Sequence, residues 1–123
     1  MLQQNELVDF CQKNNIMVTA YSPLGGAKKD ESGQLGVLDN EVIKEISERL
    51  KISPAQIVLA WLLARGIAVI PKSVHQDRIR ENFAAQVIDL DATDMEKIAA
   101  IDKGKRFVDG SAFAFGDYKD IFA

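Results

Sequence analysis

Residues 67–74, IAVIPKSV, decide the fold of this chain. A run of four apolar residues closed by Pro71 is typical of a strand that is buried on both faces of a parallel sheet. A second run of the same character, IMVTAYS at residues 16–22, ends at Pro23. Long helical patterns separate the two runs, and parallel strands are joined by such crossovers. The sequence therefore predicts an α/β fold.

The helices around these strands carry local start and stop signals. Ser53-Pro54-Ala55-Gln56 joins a capping serine, a proline at the first helical position and a glutamine that completes a capping box. The apolar helix that follows should end at Arg65-Gly66, a cation and a glycine stop. Further helices are predicted at about 5–14, 39–51 and 76–86, and from a cap at 91–94 through residue 100. In the helix at 76–86, Ile79 and Phe83 should point inward.

The order of predicted helices and strands implies a sheet with more strands than this sequence contains. A two-stranded parallel sheet leaves both edges open and offers an apolar helix little surface to cover. The pattern therefore indicates a piece of a larger α/β sheet or barrel. The glycine-rich stretch 25–36 should form a mobile loop.

Composition limits the classes of function. The 123 residues suffice for one modest domain, and a formal net charge of −3 gives no broad electrostatic reason to bind nucleic acid or an anionic membrane. The single cysteine, Cys11, favours a reducing compartment. No apolar run approaches the roughly 20 residues that span a bilayer, and the N-terminus lacks the basic region of a signal peptide. We expect a cytoplasmic protein.

Two motifs carry a resemblance to a known family. They are VTAYSPLG at 18–25 and IPKSV at 70–74, the latter followed by Arg78, Glu81 and Asn82. Together they resemble the seventh and eighth strand regions of aldo-keto reductases, (β/α)8-barrel enzymes that reduce carbonyls with NADPH. The resemblance implies that residues 1–123 form the C-terminal portion of a TIM barrel, about strands 7 and 8 with their helices, with 105–123 as a C-terminal tail.

The second motif has the chemistry of a phosphate site. Phosphate sites in such barrels often lie on the loops after strands seven and eight. Lys72 and Ser73 follow the strand, and the next helix presents backbone N–H groups and a positive dipole end. Arg78 and Asn82 share a helix face, so Arg78 can pair with a 2′-phosphate and stack on adenine. This set favours NADP(H) over NAD(H), which has no 2′-phosphate.

The resemblance assigns roles to the remaining residues. Tyr21 corresponds to the residue that stacks on the nicotinamide ring, and Ser22 and Leu24 fall where family members contact the pyrophosphate region. The predicted NADP(H)-binding set is Tyr21, Ser22, Leu24, Lys72, Ser73, Val74, Arg78, Glu81 and Asn82, with no metal site. Roles without cofactor contact stay open for two of these residues. Tyr21 can be a core residue, and Lys72 can be a solvated surface lysine. His75 stands where relatives often carry a small hydroxyl residue, and it either contacts the 2′-phosphate or faces solvent.

No catalytic residue is predicted in this chain. In the family, a tyrosine tuned by a lysine, an aspartate and a histidine donates the proton, and these residues belong to the barrel's first half. The resemblance implies a parent oxidoreductase that reduces aldehydes and ketones to alcohols, with a small carbonyl as substrate. The chain alone could instead be a non-catalytic NADP(H)-binding or assembly module, or a truncated inactive product. Exposed apolar surface would favour self-association or pairing with a missing N-terminal half.

Overall fold

A computed structural model describes residues 3–26 and 36–104 of the chain. The elements in chain order are α1 (Asn5–Lys13), β1 (Thr19–Ala20), a first 3₁₀ helix (Gly36–Asp39), α2 (Glu41–Leu50), α3 (Pro54–Ala64), β2 (Ala68–Val69), α4 (Gln76–Ala84), a second 3₁₀ helix (Ala85–Val87) and α5 (Ala92–Ala99). Most of the predicted mobile loop and the whole C-terminal tail lie outside the described residues.

The two strands pair in parallel, as the pattern predicted. Thr19 lies opposite Ala68, and Ala20 lies opposite Val69. The carbonyl of Val18 accepts a hydrogen bond from the Ala68 N–H at 2.9 Å, and the carbonyl of Ala20 accepts one from the Ile70 N–H at 3.4 Å. Within the described ranges the sheet consists of these two strands alone. The regular pairing is shorter than either apolar run suggested.

The helix boundaries follow the local signals. The Gln56 N–H donates to Ser53 Oγ at 3.3 Å, while the Ser53 N–H donates to Gln56 Oε1 at 3.0 Å, which is the predicted capping box. Gly66 follows α3 with φ +72°, the left-handed conformation expected of a glycine stop. Asp91 caps α5 by accepting a hydrogen bond from the Asp94 N–H at 2.8 Å. These predictions are confirmed.

The hydrophobic core lies between α2, α3 and α5. Its most completely buried side chains are Ile43, Ile46, Ile57 and Ile98. Trp61 is buried as well, and the guanidinium of Arg65 lies 4.5 Å from its ring centroid. At the start of the chain, the buried Gln3 donates from Nε2 to the carbonyls of Ile98 and Ala99 at 3.1 and 2.9 Å. These bonds tie the segment before α1 to α5.

Two predictions about burial are wrong. Neither apolar run is buried on both faces, since Thr19 is exposed, Met17 is 74% exposed and Ile70 is 59% exposed. Ile79 and Phe83 do not point inward, since they are 51% and 73% exposed. In the described part of the chain, one helical layer covers the sheet, and no surface lies over these residues. The apolar pattern predicted that these side chains are buried, but no element within residues 3–26 and 36–104 covers them. None of the described helices has the length and apolar character needed to cross a bilayer.

Candidate cofactor-binding site

Several of the predicted site residues lie at one edge of the sheet. Because β1 and β2 are parallel and Ala20 lies opposite Val69, the chain leaves both strands at the same edge. Tyr21 and Ser22 follow β1 there, and the turn that begins at Pro71 follows β2. Two loops far apart in sequence are thereby brought side by side at the carboxyl ends of parallel strands, where ligands of such sheets bind.

The loop after β1 is a tight turn. The carbonyl of Ser22 accepts a hydrogen bond from the Gly25 N–H at 2.8 Å, and Ser22 has φ +45°, an uncommon conformation for a residue other than glycine. The Tyr21 side chain is 56% exposed, so a large part of its ring surface is open to solvent. Leu24 differs from its neighbours because its side chain packs on the hydrophobic core. The side chain of Leu24 is therefore only partly exposed.

The loop after β2 is ordered by Ser73. Its Oγ accepts a hydrogen bond from the His75 N–H at 3.1 Å and lies 3.4 Å from the His75 carbonyl, to which the hydroxyl donates. The second bond is long and therefore weak. Its proton can turn to a phosphate oxygen while the first bond still holds the turn. Lys72 and Val74 flank Ser73 and are both exposed.

The first turn of α4 offers backbone donors. His75 is the N-cap residue, and its carbonyl accepts from the Ile79 N–H at 3.0 Å. No side chain caps this helix, so the N–H groups of residues 76–78 have no intrahelical partner. Together with the helix dipole, such amides form an anion-binding position. The side chains of Arg78 and Glu81 on this helix are exposed, and Asn82 is half-buried.

The cations of this edge differ in their pairing. Arg80 forms an exposed ion pair with Asp77 at 3.6 Å, which agrees with a solvated helix face. Lys72 and Arg78 form no ion pair with any other described residue. Within the same ranges, no three histidine, cysteine, aspartate or glutamate side chains come together in a way that could hold a metal ion. The free charges at this edge are thus suited to an anion.

Ion pairs in the helical layer join α2 to α5. The hydrogen bond from Lys97 lowers the pKa of Glu45, and the hydrogen bond to the buried carboxylate of Asp94 raises the pKa of Arg49. Arg65, the residue that ends α3, is a separate case: partial burial lowers the pKa of its guanidinium. These pairs lie on helices that cover the core and do not belong to the sheet edge.

Comparison with known proteins identifies the family. The sequence matches the profile of the Aldo/keto reductase family over residues 1–103, which is most of the chain. The chain belongs to the aldo/keto reductase family. It is 44% identical to the glycerol 2-dehydrogenase (NADP(+)) of Hypocrea jecorina over 109 residues, which are 87% of this chain and 34% of the relative.

Solved structures agree with the aldo/keto reductase assignment. The aldo-keto reductase AKR2E5 of the silkworm Bombyx mori superimposes with a TM-score of 0.77 at 36% identity, covering 87% of this chain and 33% of that structure. A mutant of Gox0644 in complex with NADPH superimposes with a TM-score of 0.73 at 38% identity, covering 85% and 36%. The chain is therefore similar in structure to part of these aldo-keto reductases, and it spans about a third of the length of the relatives it matches.

The sequence motifs did not predict two features of this sheet edge. The left-handed backbone of Ser22 was not predicted, because a residue other than glycine seldom adopts this conformation. The bond from the His75 N–H to Ser73 Oγ was also missed, although a serine two residues before a helix N-cap is a known signal for such a turn. Both features fix backbone positions at the sheet edge.

Proposed function

We propose that this chain is the C-terminal portion of an aldo/keto reductase (β/α)8 barrel, about strands 7 and 8 with their helices, and that its sheet edge binds NADP(H). The parent enzyme reduces aldehydes or ketones to alcohols. One observation carries the proposal: the parallel register of β1 and β2 sets the Tyr21 loop beside the Lys72 turn. We extend the proposal to a cytoplasmic location, which the single cysteine favours.

The phosphate half of the proposed site consists of Lys72, Ser73 and Arg78. Lys72 and Arg78 are exposed and lack an ion-pair partner among the described residues, so a phosphate does not have to displace a carboxylate. The Ser73 hydroxyl and the free amides of the first turn of α4 add neutral donors. Charge-assisted hydrogen bonds to phosphate are about twice as strong as neutral ones. This donor set favours NADP(H) over NAD(H).

The nicotinamide half is proposed for the loop after β1. The exposed Tyr21 ring can lie against one face of the nicotinamide and leave the other face open for hydride transfer. Ser22 and the backbone of Leu24 lie next to it and can contact the pyrophosphate. On α4, Glu81 and Asn82 offer an acceptor and a donor for the adenine edge, and Val74 offers backbone groups. The bound cofactor supplies the hydride; these residues hold and orient it.

The catalytic step is proposed to need groups from outside this chain. Reduction of a carbonyl requires a proton donor near the carbonyl oxygen as well as hydride at carbon. We assign no residue of the described ranges to that role and propose that the parent enzyme's catalytic tetrad lies elsewhere in the barrel. A chain that spans about a third of its relatives supports this division.

The test separates binding from turnover. The full chain is titrated with NADPH, and quenching or enhancement of the nicotinamide fluorescence reports binding. A panel of aldehydes and ketones is then added while the NADPH absorbance is followed. Saturable binding without NADPH oxidation supports the proposal. Oxidation that depends on the carbonyl contradicts the absence of a catalytic group, and lack of binding contradicts the cofactor site.

A second candidate function is an assembly module, and exposed apolar side chains favour it. Ile79 and Phe83 lie four residues apart on α4 and are 51% and 73% exposed, and Val87 in the second 3₁₀ helix is 81% exposed. Exposed apolar side chains of this kind normally pack against another element. We propose that an N-terminal half of the barrel covers them. Co-expression with residues that form the first six strands of a relative should yield a soluble complex, whereas self-association alone would appear as homo-oligomers by light scattering.

A further inference from the structure

Ser22 has a backbone conformation that residues other than glycine seldom adopt. Its φ is +45°, in the left-handed region. The other residues of the described ranges that share a positive φ without being glycine all border a helix: Gln4 precedes α1, Asn15 follows it and Lys51 follows α2. A left-handed residue is a common way to end a helix. Ser22 follows a strand and borders no helix, so its conformation needs another explanation.

The segment that contains Ser22 is held at both ends. Before it, the carbonyl of Ala20 accepts a hydrogen bond from the Ile70 N–H, which keeps the end of β1 in the sheet. After it, the Gly25 N–H donates to the Ser22 carbonyl at 2.8 Å, and the side chain of Leu24 packs on the hydrophobic core. The left-handed residue therefore makes the bend by which the chain leaves the sheet and returns to the core within one short turn.

Tyr21 lies between these two fixed points, directly before the bend. Its side chain is 56% exposed, so packing against neighbours fixes the ring only in part. The backbone on either side must therefore set much of the direction of the ring. If Ser22 changed to an extended or right-handed conformation, the turn to Gly25 would point elsewhere. Either Leu24 would then leave the core or the end of β1 would shift, and both changes move Tyr21.

We propose that Ser22 is a positioning residue, and that its left-handed backbone, rather than its hydroxyl, holds the Tyr21 ring in the orientation that meets the nicotinamide. The inference rests on the proposed function, which places Tyr21 against the nicotinamide. A residue in an unfavourable conformation persists only where the surrounding structure holds it, and such residues cluster at ligand-binding sites. A serine also has fewer accessible backbone conformations than a glycine, which makes the bend stiffer.

Two substitutions separate the backbone of Ser22 from its hydroxyl. S22N removes the hydroxyl, but asparagine tolerates the left-handed region. S22T keeps a hydroxyl, but a branched Cβ disfavours that region. The matched control is N15T, which puts the same unfavourable residue at φ +58° on an exposed position outside the candidate site. N15T and S22T should lower the melting temperature similarly, while S22T alone should affect the cofactor.

Binding is measured on the full chain by nicotinamide fluorescence, with NADPH and with NADH. Because both cofactors carry the nicotinamide, S22T should weaken the binding of both, by about 3- to 10-fold, and S22N should weaken it by less than about twofold. The emission of bound NADPH at saturation should change in S22T toward that of Y21L. Calorimetry with 2′-phospho-ADP-ribose, which has no nicotinamide, should give equal affinities for wild type and S22T.

A double variant tests whether Ser22 acts through Tyr21. In the Y21L background the ring is already absent, so S22T should cause little further loss of NADPH affinity. An undiminished further loss would show that Ser22 acts independently of the ring and would overturn the inference. Equal affinity for NADPH in wild type and Y21L would contradict the proposed nicotinamide role of Tyr21, and with it the inference.

The remaining outcomes are also decisive. A loss of affinity in S22N with retention in S22T shows that the hydroxyl is the contact. S22N decides the question even where S22T is too unstable to purify, since a loss of affinity in S22N alone overturns the inference. Equal losses of cofactor affinity in N15T and S22T show a general effect of destabilisation. Absence of cofactor binding in wild type removes the proposed function as well.

Discussion

Replacing Arg78 with glutamine removes one positive charge from the proposed phosphate site and so tests its contribution to cofactor affinity. Arg78 is exposed in the first turn of α4 and forms no ion pair among the described residues, so its removal leaves no protein charge unpaired. A charge-assisted hydrogen bond contributes about 1.5–3 kcal/mol, and solvent exposure reduces it to about 1–2 kcal/mol. Affinity for NADPH should therefore fall about 5- to 30-fold. Affinity for NADH should fall much less, because NADH lacks the 2′-phosphate and can lose only the stacking of Arg78 on adenine.

The matched control is Arg80→Gln, which removes the same charge two residues away. Arg80 pairs with Asp77 at 3.6 Å on another face of the helix, so it is not available to the cofactor. Its removal should change NADPH affinity by no more than about twofold at ordinary ionic strength, where distant charges are screened. The assay is fluorescence titration of both variants with both cofactors. Equal losses from the two substitutions, or an equal loss of NADH binding in the Arg78 variant, would refute a specific 2′-phosphate contact.

Three further predictions concern the scaffold. Ser53→Ala removes the N-cap of α3 and should lower the free energy of unfolding by about 0.5–2 kcal/mol, read from urea denaturation; an unchanged midpoint would mean that the cap is dispensable. Gly66→Ala places a Cβ 2.9 Å from Gln12 Nε2 at φ +72°, so the melting temperature should fall, with a loss of about 1 kcal/mol or more. Lys97 lowers the pKa of Glu45 below its ordinary 4.5. A lowered folded-state pKa stabilises the fold above the unfolded-state pKa, and this contribution disappears as the pH falls through the folded-state value. Lys97→Met should therefore flatten the loss of stability below pH 4.5, measured by urea denaturation at stepped pH; an acid limb as steep as in wild type would contradict the assignment.

Local signals in the sequence predicted local structure well. The capping box of Ser53 and the cap of Asp91 depend on residues within one helical turn, so their geometry follows from the sequence alone. The parallel pairing of the strands also followed, because the helices between them leave few other connections.

Burial could not be predicted in the same way. The apolar character of Ile79 and Phe83 shows that these side chains suit a packed environment, but it does not say which element supplies it. In the described chain nothing covers them, and the prediction of inward side chains is wrong. The buried Gln3 and its bonds to α5 were likewise not foreseen, since they join residues almost a hundred positions apart. Long-range contacts of this kind depend on the assembled fold.

For the candidate site, the sequence predicts residue types but not their conformation. The order Pro71-Lys72-Ser73 indicated a phosphate turn, and the structure adds that Ser73 Oγ holds the His75 backbone. Leu24 was predicted as a cofactor contact, and the structure adds that its partly buried side chain packs on the core. A motif specifies which residue stands at each position. The turn geometry decides which of its groups, side chain or backbone, can reach a ligand.

Backbone amide NMR of the isotope-labelled full chain tests the central claim most directly. On titration with NADPH, the largest shift changes should fall on the amides of residues 72–78 and of Tyr21 and Ser22. With NADH, the changes at residues 72–78 should be much smaller, while those at the Tyr21 loop persist. Changes that cluster away from this sheet edge, or the same pattern with both cofactors, would contradict a site that recognises the 2′-phosphate.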